Sequence, residues 1–215
     1  MRLAFDRILF AGAHLDDIEF GAGAWAADLA ATPCQMRFLT LTQHTRAADG
    51  HIQIRRDLDE PVEAARQLGL DSAKVSIGSL DGQMLHDQAQ AVREIFLQWR
   101  RDFDPEVVVV PAARDIHQDH HVVYAEAVRI FRDRTVLGFE VVRSTLDFRP
   151  NLFVAVSAAA LEKKVQAVLC YRSQLEQSAG YYFKPEIVRG QAHFRGGQGN
   201  KELAEAFEVY FLHHG

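Results

Sequence analysis

Cysteine is scarce in this chain: only Cys34 and Cys170 occur in 215 residues. Neither has a partner at metal-motif spacing, which argues against a disulfide scaffold and a thiolate zinc site and fits a reducing, cytoplasmic setting. Long apolar runs are also missing. No stretch approaches the roughly 20 residues of a membrane-spanning helix, and the short apolar run in Met1–Arg7 is broken by charge, unlike a signal peptide. Nor is there an excess of positive charge. Lys and Arg number 24 against 29 Asp and Glu, a net charge of -5, which leaves little footing for nucleic acid. Internal repeats, low-complexity tracts and linkers are absent. What remains is a length suited to one domain, 1–215, able to bury a full core. The closing His213-His214-Gly215 carries no assigned role.

Strand and helix patterns alternate along that length. Ile8–Ala11, Met36–Leu41, Val75–Ile77 and Val107–Val110 predict buried strands, and Leu137–Val142 and Leu152–Val156 predict later ones. Helical patterns fall at Ala22–Ala31, at about Arg56–Leu68 (ended by Gly69), on the Val92, Ile95, Phe96, Trp99 face, at about Asp119–Phe131, and on the Leu161, Val165, Val168, Leu169 face. A polar loop is expected from Thr42 to about Ile54, and a turn at Leu80-Asp81-Gly82. The serial β-α-β pattern predicts an α/β fold: a Rossmann-like, mainly parallel sheet with helices on both faces.

Two polar clusters follow strands. One is Ala13-His14-Leu15-Asp16-Asp17-Ile18-Glu19; the other is His117-Gln118-Asp119-His120. In open parallel sheets ligands collect beyond the carboxyl ends of the strands. A strand order beginning 3-2-1-4 would make the first and Val107–Val110 strands neighbours, so the clusters would meet. His14, Asp17 and His120 would then supply two nitrogens and a carboxylate oxygen to one divalent ion and leave a position open, as catalytic zinc sites do. Asp16 would remain unligated as general base, His117 would face the developing oxyanion, and Asp119 would orient a histidine. Each motif has a plainer reading taken alone. Asp16 and Asp17 suit a helix N-terminus, and His-x-Asp-His suits a solvated helix start. The pairing of both at converging strand exits favours the metal.

At these residues the sequence resembles the PIG-L/LmbE family of metal-dependent deacetylases, whose first motif runs Ala/Pro-His-Pro-Asp-Asp-Glu, often relaxed to Asp-Asp-Ile-Glu, and whose second is His-x-Asp-His. The likeness extends to Ala64–Gly69, Leu80-Asp81-Gly82, Tyr171–Gln174 and Ala204–Phe207. It implies metal ligands at His14, Asp17 and His120, a base at Asp16, and an oxyanion-stabilising histidine at His117 with Asp119 beside it. It implies an LmbE-like fold, Zn2+ (Fe2+ or another divalent metal as the alternative) and hydrolysis of an N-acyl, typically N-acetyl, group on an amino sugar or its conjugate. Leu15 departs from the family's proline and loses a φ restraint. Gln43-His44-Thr45-Arg46 lacks the acidic residue often found after the second strand, and Arg55 and Arg56 are two imperfect matches to the family arginine.

Three other functions stand against this one: an amidase using the same centre on a non-sugar amide or thiol conjugate, a non-catalytic metal- or sugar-binding module, and a dinucleotide-dependent oxidoreductase. Gly21-Ala22-Gly23 invites the last, but the third fingerprint position is Ala26, and the carboxylates of Asp16 and Asp17 would occupy the pyrophosphate position. Substrate contacts are expected from Gln43–His51 and from Tyr181–Gly199, a segment with Lys184, Arg189 and Arg195 that reads as a phosphate-binding loop, a lid or a subunit contact. The family often forms homo-oligomers. The expected partner is a small N-acylated amine, with no nucleic acid and no membrane span.

Overall fold

The computed structural model describes residues 5–46, 49, 51–54, 56–176 and 180–213. The parallel centre of the sheet is built from the most apolar segments: β1 (Arg7–Gly12), β2 (Gln35–Arg46), β4 (Val75–Gly82), β5 (Val107–Pro111) and β6 (Thr135–Phe139). The short β3 (Ile52–Ile54) pairs antiparallel with the end of β2. At the other edge β6 pairs antiparallel with β8 (Ala204–Phe211), which pairs in turn with β7 (Leu152–Ala155). The strand order is β3-β2-β1-β5-β6-β8-β7, with β4 on β2. The parallel core therefore runs β4-β2-β1-β5-β6, the crossover order expected. Ile8, Leu9 and Phe10 lie opposite Val107, Val108 and Val109, so β1 and β5 release their loops side by side.

Alternation along these strands feeds two cores, as a parallel sheet covered on both faces requires. Ile8, Phe10, Val107 and Val109 point to one layer, with α1 (Asp17–Leu29), α2 (Glu60–Gln67), α5 (Ala158–Leu169) and α7 (Pro185–Gln198). Leu9, Ala11, Val108 and Val110 point to the other, with α3 (Ala89–Asp102) and α4 (Gln118–Ile130). The short α6 (Arg172–Glu176) follows α5. No helix among the described residues is long and apolar enough to cross a membrane.

Several elements differ from the sequence expectation, each for a physical reason. Helix α1 begins at Asp17 rather than Ala22, and Ala22 itself is a kink (φ -146°, ψ 15°). The kink is satisfied by buried charge: Glu205 accepts from Ala24 N (3.0 Å) and Trp25 N (2.7 Å), and Lys164 Nζ donates to Phe20 O (2.7 Å) and to Glu205 (2.6 Å). Gly21 is needed there for space, since a Cβ would stand 2.1 Å from the Phe139 ring. The glycine pair thus serves helix packing. Strand β2 runs on to Arg46 and β4 to Gly82, because each pairs with the other through the predicted loop and turn. Tyr181–Gly199 is mostly helix α7, started by Pro185, and Arg189 and Arg195 are bound to Glu162 and Glu140. They are therefore not the free basic groups of a phosphate loop.

Candidate metal centre

The exit of β1 turns back on itself within five residues. Asp17 Oδ2 accepts from Ala13 N (2.9 Å) and His14 N (2.8 Å). Gly12 leaves room for that turn, since a Cβ there would lie 2.9 Å from Asp17 Cβ. From the neighbouring strand Thr42 N and Oγ1 both donate to Ala13 O. Asp16 stands at the N-cap of α1 but makes no side-chain capping bond. The plain capping reading therefore fails for Asp16.

The exit of β5 is held as firmly. Asp115 Oδ1 accepts from His117 N (2.8 Å), while its Oδ2 accepts from Ser144 Oγ and Thr145 Oγ1 (both 2.8 Å) and lies 2.8 Å from His120 Nδ1. His117 caps α4 by accepting from Asp119 N through Nδ1 (3.2 Å). That acceptor role assigns the proton of a neutral His117 to Nε2. Asp119 is fully buried and accepts from Gln83 N (2.6 Å) and Leu85 N (3.2 Å) beyond β4. Its Oδ2 also lies 3.0 Å from His14 Nε2.

The two exits meet. His14 Nδ1 is 3.2 Å from His120 Nε2, Asp17 Oδ2 is 3.1 Å from His120 Nε2, and the third side, His14 Nδ1 to Asp17 Oδ2, is 3.5 Å. Four ligands at about 2.05 Å in a tetrahedron stand about 3.3 Å apart, so these three atoms match one face of such a shell. The outer nitrogens of both rings face carboxylates, Asp119 and Asp115, as histidines that ligate metals usually do. His117 belongs to the same cluster: its ring nitrogen, with those of His14 and His120, falls in a group within 4.8 Å. The donor set fits a divalent ion.

Its electrostatics point the same way. Burial opposes charge on His14 and His120, yet Asp17 and the outer carboxylates raise His14 to about 9 and His120 to about 10. The cage of carboxylates thus demands positive charge, from protons or from a metal. Burial also opposes ionisation of Asp17, but His120 and His14 hold it well below the usual range. Asp16 goes the other way, raised by burial and by the charge of Asp17. Burial and the two cationic rings lower His117 to about 4, so it is neutral at pH 7. Glu19 is buried to one side, against Tyr171, with Oε2 unpartnered, and burial pushes it up to about 8.

All six residues predicted for the site, His14, Asp16, Asp17, His117, Asp119 and His120, are brought to this place. Asp115 is an additional member, whose sequence signal is only its position two residues before His117. Arg56 is near enough for its charge to act on Asp16, and its buried Nη1 has no hydrogen-bond partner among the described residues. Arg55 lies outside the described residues, as does part of Gln43–His51.

Comparison with known proteins bears on the family and the fold. The family described as GlcNAc-PI de-N-acetylase (PIG-L) matches residues 9–131. An uncharacterised deacetylase of Escherichia coli K12, YaiS, is 29% identical over 172 residues, covering 77% of this chain and 90% of its own. Among solved structures, the N,N'-diacetylchitobiose deacetylase of Pyrococcus horikoshii superposes with a TM-score of 0.74 at 18% identity, over 95% of this chain and 84% of that one. GalB of Pseudomonas putida KT2440, a 4-carboxy-2-hydroxymuconate hydratase, superposes at 0.70 and 19% identity, over 98% of each chain. The fold therefore hosts more than one reaction, and the family assignment rests on sequence. With a match spanning more than half of its 215 residues, from the first core strand through both clusters, the chain belongs to the PIG-L family of deacetylases.

Proposed function

We propose that the chain is a divalent-metal-dependent hydrolase of an N-acyl, first of all N-acetyl, amide on an amino sugar or sugar conjugate. The observation that carries this reading is the triangle of His14 Nδ1, His120 Nε2 and Asp17 Oδ2, with sides of 3.1–3.5 Å, beside an aspartate that caps nothing. Those three side chains would hold the ion, zinc or alternatively ferrous iron. Such an ion, when bound, polarises the amide carbonyl and acidifies water.

The chain's own groups do the rest. Asp16, with its raised proton affinity, takes the proton of the attacking water and passes it to the departing nitrogen. His117, neutral and protonated on Nε2, donates a hydrogen bond to the tetrahedral oxyanion. Its lowered proton affinity makes it the poorer source of the amine's proton, so that role falls to Asp16. Asp115 and Asp119 keep His120 and His14 in orientation.

Metal analysis of the purified protein, coupled to an amine-release screen over N-acetylated sugars and non-sugar amides, tests the reading. Free amine from a sugar amide only with metal present is the expected result. Amine released only from non-sugar amides would move the substrate class to the alternative amidase. Stoichiometric metal with no amine from any amide would leave a binding module or, given the hydratase that shares the fold, a different reaction.

A further inference from the structure

A cleft of about 420 Å³ is lined by Val142, Arg143, Tyr181, Tyr182 and Ile187. One wall is the segment leaving β6; the other is the turn entering α7. Both are tied to the metal centre. Ile116 N donates to Ser144 O (3.0 Å), and the Ser144 and Thr145 hydroxyls hold Asp115, which faces His120. The Tyr182 ring lies 5.1 Å from that of Phe20 on α1, and Asp16 and Asp17 are near enough to act on its hydroxyl. The cleft thus adjoins the centre at the carboxyl ends of β1, β5 and β6, where ligands of parallel sheets collect.

Its lining has a definite chemistry. Two tyrosine rings and two branched aliphatic side chains give it an apolar face, and no acidic side chain lines it. Arg143 supplies a positive charge, 5.5 Å from the centre of the Tyr182 ring. Among the described residues no carboxylate pairs with Arg143, whereas Arg189 and Arg195 close by are each held by a glutamate. Lys184, which is not part of the lining, holds its ammonium 4.2 Å from the Tyr181 ring centre. It is an open, shallow depression, and its volume exceeds that of an acetyl group.

We infer that this cleft is a subsite for an anionic group, carboxylate or phosphate, carried on a ring or alkyl body, and that the amide substrate is an acid. The inference rests on the hydrolase reading only for what the acid is attached to. Its test is therefore equilibrium binding, which needs no turnover. Glucosamine, glucosamine 6-phosphate and muramic acid would be titrated by calorimetry into the zinc-loaded protein, wild type and the exposed-site variants Arg143→Met and Arg143→Lys.

At least one acid should bind roughly tenfold or more tightly than glucosamine, as a charge-assisted contact implies. Arg143→Met should bring the ratio close to one, and Arg143→Lys should keep part of it. The acid that gains identifies phosphate or carboxylate as the source. Equal binding of all three ligands, no binding of either acid, or a preference that survives Arg143→Met would overturn the inference. Turnover of the three N-acetylated counterparts is measured separately. An Arg143-dependent preference in binding without turnover of any of the three would remove the amino-sugar reading and keep the subsite; turnover with no preference for an acid would do the reverse.

Discussion

Asp16 and Asp17 are adjacent, chemically identical groups that the fold treats in opposite ways. Asp17 turns inward onto two backbone N–H groups and two imidazoles, which favours its charged form; Asp16 remains unused by the helix it precedes, with its proton affinity raised. Splitting two carboxylates in this manner is what the proposed function requires, a ligand at Asp17 and an acid–base group at Asp16. Asp16→Asn should consequently lower kcat by about 10²–10⁴-fold, the range of a positioned general base, while metal content measured by emission spectroscopy stays at the wild-type level. Full activity in that variant would remove Asp16 from the chemistry. A second prediction follows from the rings. With His14 at about 9 and His120 at about 10 when metal-free, both hold a proton at pH 7, and ions must displace those protons to bind. Zinc uptake at pH 7 should release about two protons, read by calorimetry in buffers of different ionisation enthalpy, and affinity should climb as pH rises toward 9. The same raised values mean that the metal-free fold gains stability from these protons below the ordinary histidine pKa of about 6.5 and loses it as pH passes through 9 and 10. Tm of the chelated protein should fall over that window. At this scale the sequence picked out six residues that the fold brings together, because histidines and aspartates clustered at strand exits are unusual. Asp115 escaped because nothing local distinguishes it; its partners Ser144, Thr145 and His120 are brought by the fold.

Elements were legible where apolar periodicity governs them and illegible where buried polar groups do. Val107–Val110 could be only a core strand. The kink of α1 had no such signal, since it depends on Lys164 and Glu205, which are distant from α1 in sequence. Tyr181–Gly199, with its basic residues, reads as a phosphate-binding loop, a lid or a subunit contact, yet most of it is helix α7, and Gly196 there is a close-packing position, where a Cβ would meet Glu202 O at 2.6 Å. The buried Lys164–Glu205 pair yields a stability prediction. Lys164→Met leaves Glu205 buried with only backbone partners, and breaking a buried pair typically costs about 3–5 kcal/mol, to be measured by urea denaturation. A cost under about 1 kcal/mol would show that water reaches Glu205. The first loop offers another. Leu15 lacks the restraint of the family's proline, and the Tyr171 hydroxyl, buried, donates to Leu15 O in its stead. Tyr171→Phe should cost about 1–3 kcal/mol for the carbonyl left unpaired, with a fall in kcat as Asp16 loses its fixed position; an unchanged Tm and kcat would assign the anchoring to the surrounding packing alone.

The family match ends at residue 131, but the physical unit extends well beyond it. Helix α5 lies on α1 in one core, and β8, last in the chain, is inserted between β6 and β7 and sends Glu205 into the α1 kink. The expected single domain of 1–215 therefore amounts to a claim about cooperativity, and the chain carries reporters for it. Trp25 sits on one face of the sheet, 5.7 Å from the Phe10 ring and 5.2 Å from the Phe207 ring, so it senses both the first strand and the last. Trp99 sits on the opposite face, 6.1 Å from Phe103. They are the only two tryptophans. Trp99→Phe and Trp25→Phe each leave one emitter, and urea unfolding followed by the two single-tryptophan proteins and by far-ultraviolet circular dichroism compares the faces. One unit requires that, within each variant, fluorescence and dichroism share a midpoint. In a metal-loaded sample both midpoints should rise together, since an ion that binds only the folded state stabilises everything coupled to it, by about 4 kcal/mol at a thousandfold excess over Kd. If Trp25 lost its environment before the dichroism while Trp99 kept step with it, the C-terminal strands and their helix layer would be a separable unit, and the site would stand on the β1–β5 core alone.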